Sequence, residues 1–303
     1  MIRLTIFTPT YNRGYILGNL YKSLCEQSKK DFIWLVVDDG STDNTKDLVD
    51  KWVKEADFNI KYIKKDNGGK NTAMDTANEL CETDYICCVD SDDILDKNAV
   101  DIIYNEMLMA DKLKNSCGIV TRKGRIDDGT PYGEGWVNEK YKEIYFFELS
   151  KKYKYKSETC LVFKTEIVRK YKFPVIKDEK FITESVFYNQ FMYNYTLLAS
   201  REIYYYFEYI QDGYTRQGMK IFFQNPKGFL YALKQNLFYA KKVKLGLKAC
   251  VGLSAGYYAW KKINKIDDTF SEEYKISGFY KFFGILLSPI QYIKYRKLQK
   301  LIK

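Results

Sequence analysis

The chain has 303 residues, 46% of them hydrophobic and 29% charged, with a formal net charge of +10. It contains no histidine, which excludes Ser-His-Asp and Cys-His catalysis and any His-based metal site, so a metal would need oxygen or sulfur ligands. The positive excess suits nucleic acid, anionic lipid or a phosphorylated ligand.

Seven scattered cysteines, none in a CxxC pair, read as free thiols in a reducing compartment rather than as disulfides or a zinc site. The start, MIRLTIFTPT, is too short and too quickly polar for a signal peptide. No apolar run approaches the roughly 20 residues of a membrane span. A cytoplasmic location is the expectation.

Along the first 120 residues strand and helix patterns alternate. LTIFTPT and FIWLVVDD read as buried strands, and Ile16, Leu17, Leu20, Tyr21 and Leu24 recur at helical steps between them. The turn GSTD follows, with Thr42 or Asp43 as a cap for a helix carrying Leu48, Val49, Trp52 and Val53. IKYI is a short strand, NGGK a turn, and a helix through Ala73, Ala77 and Leu80 leads into the strand YICCVD. The helix AVDIIYNEMLMA and the strand CGIVT complete this part. Such alternation predicts an α/β fold with a mostly parallel sheet, whose ligands bind beyond the carboxyl ends of the strands. Segments Pro9–Arg13, Asp38–Ser41, Asn67–Lys70 and Asp90–Asp93 should therefore meet on one rim.

Between about 122 and 160 glycines and mixed charge (RKGRIDDGTPYGEGW) suggest a mobile loop. TCLVFKTEIV returns to strand character, ITESVFYNQFMYNY reads as a helix, and IYYYFEYI as an aromatic strand. After NPKG the chain is mainly helical, and there is no internal repeat.

YICCVDSDDIL sets Asp90, Asp92 and Asp93 where an apolar strand meets a loop. Asp-x-Asp at the end of a rigid strand can present two carboxylates to a hard divalent cation, either Mn2+ or Mg2+. The alternative is an acidic helix N-terminus, which fits Asp93 and Asp96 better than Asp90 and Asp92. An EF-hand does not fit, since Ile94 and Leu95 stand where a ligand and the turn glycine belong.

TPTYNR, VVDDGSTD, NGGK and VDSDD, in this order and spacing, resemble the nucleotide-binding signature of the family-2 glycosyltransferases with a GT-A fold. The resemblance covers about residues 1–120. It implies an inverting transfer of a hexose or N-acetylhexosamine from a UDP-sugar to a glycan hydroxyl, the acceptor being lipid-linked as for many members. It implies backbone contacts from Thr8 and Pro9, base stacking on Tyr11, and Asp39 accepting the uracil imide. Arg13 and Lys70 would lie near the phosphates or sugar, Asn67, Asp90 and Ser91 on the nucleotide sugar, and Asp92 on the metal. It also implies a catalytic domain over 1–215, with a nucleotide half (1–120) and an acceptor half (121–215), and a basic helical region over 216–303. The family's Glu-Asp pair is matched by Glu184 followed by Ser185, so Glu184 is the candidate base, with Asp178 and Glu179 just upstream as substitutes.

No acid follows Glu273, while lysines interleave with Phe279, Phe282, Phe283, Leu286 and Ile293, a pattern that reads as an anchor on the inner, anionic face of the membrane. A helix packed on the catalytic domain with a solvated basic face is the alternative. A dehalogenase-like phosphatase fits poorly, because its Asp-x-Asp follows the first strand. A nucleic-acid or membrane module explains the charge but not four polar clusters on one rim, and no nucleic-acid partner is expected. Glc, Gal, GlcNAc and GalNAc all remain open as the sugar.

Overall fold

The computed structural model describes residues 2–208, 214–268 and 273–302. The chain forms two compact units. One runs to Lys172 and resumes at Met192, and the other combines Phe173–Phe191 with the C-terminal part.

The first unit contains β1 (Leu4–Thr10), α1 (Leu17–Cys25), β2 (Phe32–Asp38), α2 (Thr45–Glu55), β3 (Asn59–Lys64), α3 (Lys70–Leu80), β4 (Tyr85–Cys88), β5 (Ile94–Leu95) and α4 (Ala99–Ala110). It continues with β6 (Ser116–Arg122), β7 (Gly124–Arg125), β8 (Tyr141–Ile144), α5 (Phe146–Lys151), β9 (Thr159–Lys164) and α6 (Thr165–Val168). After α7 (Ser185–Tyr188), which belongs to the second unit, β10 (Thr196–Ser200) and β11 (Tyr205–Phe207) return to the first. The main sheet has the order β3-β2-β1-β4-β9-β6-β10-β8, and a small one has the order β5-β11-β7. β1 runs parallel to both β2 and β4, and β2 to β3, so the ends of these four strands share one edge. β9 is antiparallel to β4 and β6, which makes the sheet mixed.

Every residue of β1 is buried, as expected of a strand covered on both faces. Leu17, Leu20 and Leu24 form one fully buried stripe of α1, each contributing about 1.5–3 kcal/mol. Trp34 is fully buried and donates its indole N–H to Thr8 Oγ1 at 2.9 Å, while Tyr21 stacks on Trp52 at 4.4 Å.

Two expectations change. The stretch 122–160 is not a bare loop, for it supplies β7, β8 and α5. Trp136 pins it, buried, with its N–H on the Ser200 carbonyl at 2.8 Å and its ring edge-on to Tyr155. The helix expected over ITESVFYNQFMYNY is cut to Ser185–Tyr188. Tight i–3 turns follow it, with Gln190 N–H on Phe187 O and Phe191 N–H on Tyr188 O. Asn189 is held by its amide on Gln235 and Asn236, and aromatic residues favour helix only weakly.

The second unit holds α7, α8 (Tyr214–Gln217), α9 (Met219–Gln224), α10 (Pro226–Lys242), α11 (Leu247–Asn264) and α12 (Gly278–Ile302). Glu179 caps α10 by accepting the N–H groups of Lys227 and Gly228 at 2.8 and 2.7 Å. Trp260 is fully buried among Phe223, Phe229 and Tyr295, and donates to the Pro226 carbonyl at 2.8 Å.

Glu106 of α4 is fully buried in the first unit, bonded to the Tyr204 hydroxyl at 3.1 Å. Burial pushes its carboxyl up to about 7; Ser200, Tyr204 and Lys140 pull it back and Glu202 adds to the rise. The folded value lies above the unfolded one, so this group's stabilisation is full below pH about 4.5 and is lost as pH rises through about 7. Relative to Glu106→Gln, the wild type should lose about 3 kcal/mol between pH 4 and pH 8. Urea unfolding of both proteins across that range checks this, and parallel curves would refute it.

Candidate active site at the strand ends

The loops after β1, β2 and β3 are fastened to one another by side chains that the chain itself supplies. Asn12 sits at φ +52° and accepts the Thr42 N–H at 2.8 Å, while its own N–H reaches Ser41 Oγ at 2.8 Å. Gly14 N–H bonds Asp43 Oδ2 at 3.0 Å, and Asp43 Oδ1 takes the Thr45 N–H and hydroxyl at the start of α2. Of the two proposed caps, Asp43 therefore makes these contacts. Burial pushes its carboxyl up, but these hydrogen bonds bring it below its ordinary value.

Asp38 is fully buried, with Oδ1 on the Ser41 N–H at 2.7 Å and Oδ2 on the Tyr62 hydroxyl. Asp39, also buried, binds the turn after β3. Its Oδ1 accepts from Lys65 Nζ at 2.7 Å and Gly68 N–H at 2.9 Å, and its Oδ2 from Gly69 N–H at 2.7 Å. Gly40 (φ +88°) leaves no room for a side chain, since a Cβ there would lie 3.0 Å from Asn67 N. Asn67 is half-buried beside this contact.

This bracing sets Lys70, the first residue of α3, against the acidic loop after β4. Its Nζ lies 2.6 Å from Asp90 Oδ1. Burial pushes the Asp90 carboxyl up, yet Lys70 and Lys123 hold it below the ordinary value, with Arg13 adding to the pull. Asp92 goes the other way, raised by burial and by the Asp90 charge, with Arg13 and Lys70 opposing. Arg13, Lys70, Asp90 and Asp92 thus form one electrostatic group, in the first unit. Ser91 is buried between the two aspartates in sequence. Thr8 and Pro9 are buried in β1, and the Tyr11 ring, 48% exposed, is open to a ligand. Arg13 donates to the Tyr15 hydroxyl at 2.6 Å.

The positive groups among the aspartates include two lysines of the chain. Asp93 is buried, with Oδ2 on the Tyr205 hydroxyl at 2.6 Å and 3.2 Å from Lys123 Nζ. It is an ion-pair partner, not simply a helix-start carboxylate. Burial lifts it to about 7 against the pull of Lys123. Lys123, lowered by burial, is carried up to about 12 by Asp93 and Asp90, so it stays charged. Its ammonium sits 4.0 Å from the Tyr205 ring centroid, and the Tyr205 hydroxyl accepts the Asp90 N–H at 3.0 Å.

Sequence reasoning missed Lys123 and Tyr205. Lys123 lies in the segment that read as a loop, and Tyr205 in the stretch that read only as an aromatic strand. The available signal for Lys123 was a lysine two residues beyond the apolar run CGIVT.

Asp90 and Asp92 fit a hard divalent cation. They are adjacent oxygen donors, and the raised Asp92 carboxyl is a group that a positive ion would relieve. Among the described residues no three acidic or thiol groups cluster tightly enough to enclose a metal.

Glu184 lies in the second unit at the start of α7, and Tyr188 donates its hydroxyl to Oε2 at 2.9 Å. The hydroxyls of Thr183 and Ser185 bond to each other at 3.2 Å.

Removing Lys123 would leave Asp93 buried without its cation. Lys123→Met should therefore cost about 3–5 kcal/mol at pH 8, and Lys123→Met with Asp93→Asn should recover most of it. Urea unfolding of the single and double variants decides this, and equal losses in both would refute the pairing.

The site can be set beside known proteins. A sequence profile described as "Glycosyl transferase family 2" matches residues 5–172. A teichoic acid poly(glycerol phosphate) polymerase of Staphylococcus epidermidis is 34% identical over 121 residues, 40% of this chain and 16% of that protein. TarS of Staphylococcus aureus, a poly(ribitol-phosphate) beta-N-acetylglucosaminyltransferase, is 30% identical over 102 residues, 33% of this chain and 18% of its own length. The matched part is thus under a fifth of either relative. In three dimensions TarS 1–349 in complex with UDP-GlcNAc superposes with a TM-score of 0.60 at 17% identity, covering 94% of this chain and 79% of that one. A mannosyltransferase of Pyrobaculum calidifontis in complex with GDP-Man and Mn2+ superposes at 0.52 with 15% identity, covering 96% and 87%. The shared fold is GT-A, and with more than half of its length matched by the profile, the chain belongs to glycosyl transferase family 2.

Proposed function

We propose that the protein is an inverting glycosyltransferase that moves a hexose or N-acetylhexosamine from a UDP-sugar to a hydroxyl of a lipid-linked glycan in cell-surface polysaccharide synthesis. The observation that carries this reading is the group Arg13, Lys70, Asp90 and Asp92, set on one sheet edge by loops braced through Asn12, Asp39 and Asp43. The relatives that are a teichoic acid polymerase and a poly(ribitol-phosphate) beta-N-acetylglucosaminyltransferase, and the UDP-GlcNAc complex of TarS, support it.

In this reading uracil stacks on the exposed face of Tyr11 and runs along the backbone of Thr8 and Pro9. The Asp39 carboxylate accepts three hydrogen bonds of about four that two oxygens offer, which leaves a lone pair on Oδ2 for the uracil imide N–H. Arg13 and Lys70 supply positive charge at the diphosphate, and Asn67, Asp90 and Ser91 bind ribose or sugar hydroxyls. Asp92 would hold Mn2+ or Mg2+, with Asp90 beside it, and the ion would offset the charge that develops on the leaving UDP. The acceptor oxygen forms its bond to the anomeric carbon as the bond to UDP breaks. Glu184, placed by the Tyr188 hydroxyl, takes the proton from the acceptor hydroxyl. A cytoplasmic enzyme lying on an anionic inner membrane face would meet such an acceptor.

Thermal unfolding with UDP, GDP and ADP, with and without Mn2+, tests the donor half. UDP at about 100 times its dissociation constant should stabilise by about 2.7 kcal/mol, with the effect lost in Asp92→Asn. The absence of a shift with every nucleotide would overturn the proposal. Glu184→Gln should keep the UDP shift and lower kcat by about 10²–10⁴-fold, measured as sugar transfer, and unchanged turnover would remove Glu184 from the mechanism.

A further inference from the structure

α12 is anchored by one face and leaves the opposite one bare. On the anchored side Gly284 packs against Ser254 of α11 so closely that a Cβ would lie 2.1 Å from Ser254 Oγ. Ser254 donates to the Tyr280 carbonyl at 2.7 Å, and the buried Tyr295 meets Trp260 edge-on at 5.0 Å. A helix held this way should turn polar residues outward.

This one does not. Phe279, Phe282, Leu286, Ile290 and Ile293 follow one another at three- and four-residue steps, a single stripe on the side away from Gly284 and Tyr295, and each is at least half exposed. Pro289 interrupts the helix on that same side. Its missing N–H would have served the Ile285 carbonyl, which the Ser288 hydroxyl satisfies instead at 2.9 Å. The helix is therefore supported at its one weak point, and the stripe runs on through it.

The charge around the stripe has one sign. From Pro226 to the last residue the acids are Asp267, Asp268, Glu272 and Glu273, all before α12, against sixteen Lys and Arg, so this stretch carries +12 and the rest of the chain is slightly negative. The stripe gives way to Lys297 and Lys300 on the outward side, with Lys294 and Arg296 flanking it. The Lys241 ammonium lies 5.4 Å from the Tyr280 ring, and the turn from α10 to α11 exposes Leu245 and Leu247 between Lys244 and Lys248. Among the described residues no helix is long and apolar enough to cross a membrane.

We propose that the outward face of α12 is a docking surface that lies flat on an anionic phospholipid bilayer, the apolar stripe entering the acyl boundary and the lysines resting on lipid phosphates. Apolar side chains bordered only by cations match a surface of phosphate over hydrocarbon. A second copy of the chain would bring the same lysines against one another. The inference deepens the proposed role on a lipid-linked acceptor and rests on it for its purpose, but the binding itself needs no sugar nucleotide.

The full chain would be sedimented with vesicles of phosphatidylcholine alone and of phosphatidylcholine with phosphatidylglycerol. We expect binding to the second and little to the first, weakening as salt rises. Phe282→Ser with Ile290→Ser should reduce it at least about tenfold, while circular dichroism and UDP-induced stabilisation stay at wild-type values. No binding to either vesicle, or equal binding by the variant, would overturn the proposal. So would a concentration-dependent dimer that the variant dissociates in a protein that ignores vesicles. Vesicle binding without any UDP shift would leave this surface standing and sink the transferase reading instead.

Discussion

The Asp39 carboxylate is the constraint on which the rim of the first unit depends. It directly follows β2, it is buried, and its three hydrogen bonds from Lys65, Gly68 and Gly69 tie the turn after β3 to the strand beside it. Because α3 starts directly after that turn, the same bonds fix where Lys70 begins and hence its ion pair with Asp90. Parallel registers alone would bring the four strand ends to one edge, but not their side chains into contact. The turn needs a backbone with φ +92° at Gly69, and a Cβ at Gly40 would press on Asn67. Asp39 therefore has a structural duty whatever else it binds.

The acidic loop after β4 is a balance of opposed charges rather than a bare negative patch. Three aspartates in four residues repel, and burial raises the cost of keeping them charged. Lys70 meets Asp90 and Lys123 meets Asp93, yet burial leaves both Asp93 and Asp92 as raised carboxyls. The two lysines come from different parts of the chain, one opening α3 and one following β6.

The second unit is organised on other terms. Its core is aromatic, centred on Trp260, and several of its buried polar groups close the unit internally. Glu179 caps α10, and Lys234 pairs with Asp268 at 2.7 Å, whose same oxygen accepts from the Tyr257 hydroxyl. Buried hydroxyls and carboxylates used this way fix helix positions without contributing a reactive group. The helix that does not follow this economy is α12, with an apolar outer face where solvent would favour polar residues.

Local pattern in the sequence determined much of the first unit. Apolar runs, helical spacing and turn residues delimit β1 to β4 and α4 closely, since the apolar period of these elements is written along the chain, while the two-residue β5 carries no such pattern. The order of the four strand-end motifs was equally legible, and it carried the family. Past residue 120 the sequence said less, because the elements are short and held from outside. The 122–160 segment owes its order to Trp136 on the Ser200 carbonyl, a contact across 64 residues, and the stretch after Glu184 is bent by Asn189 on α10. Lys123 and Tyr205 are of the same kind. Nothing near them in the chain is acidic in a telling way, and only β6 and β11 folding beside the loop after β4 bring an ammonium and a phenol to Asp93. Local periodicity decided which segments become strands and helices. Tertiary structure decided which charges meet, because burial makes an unpaired carboxylate costly and the partner that relieves it can come from any distance along the chain.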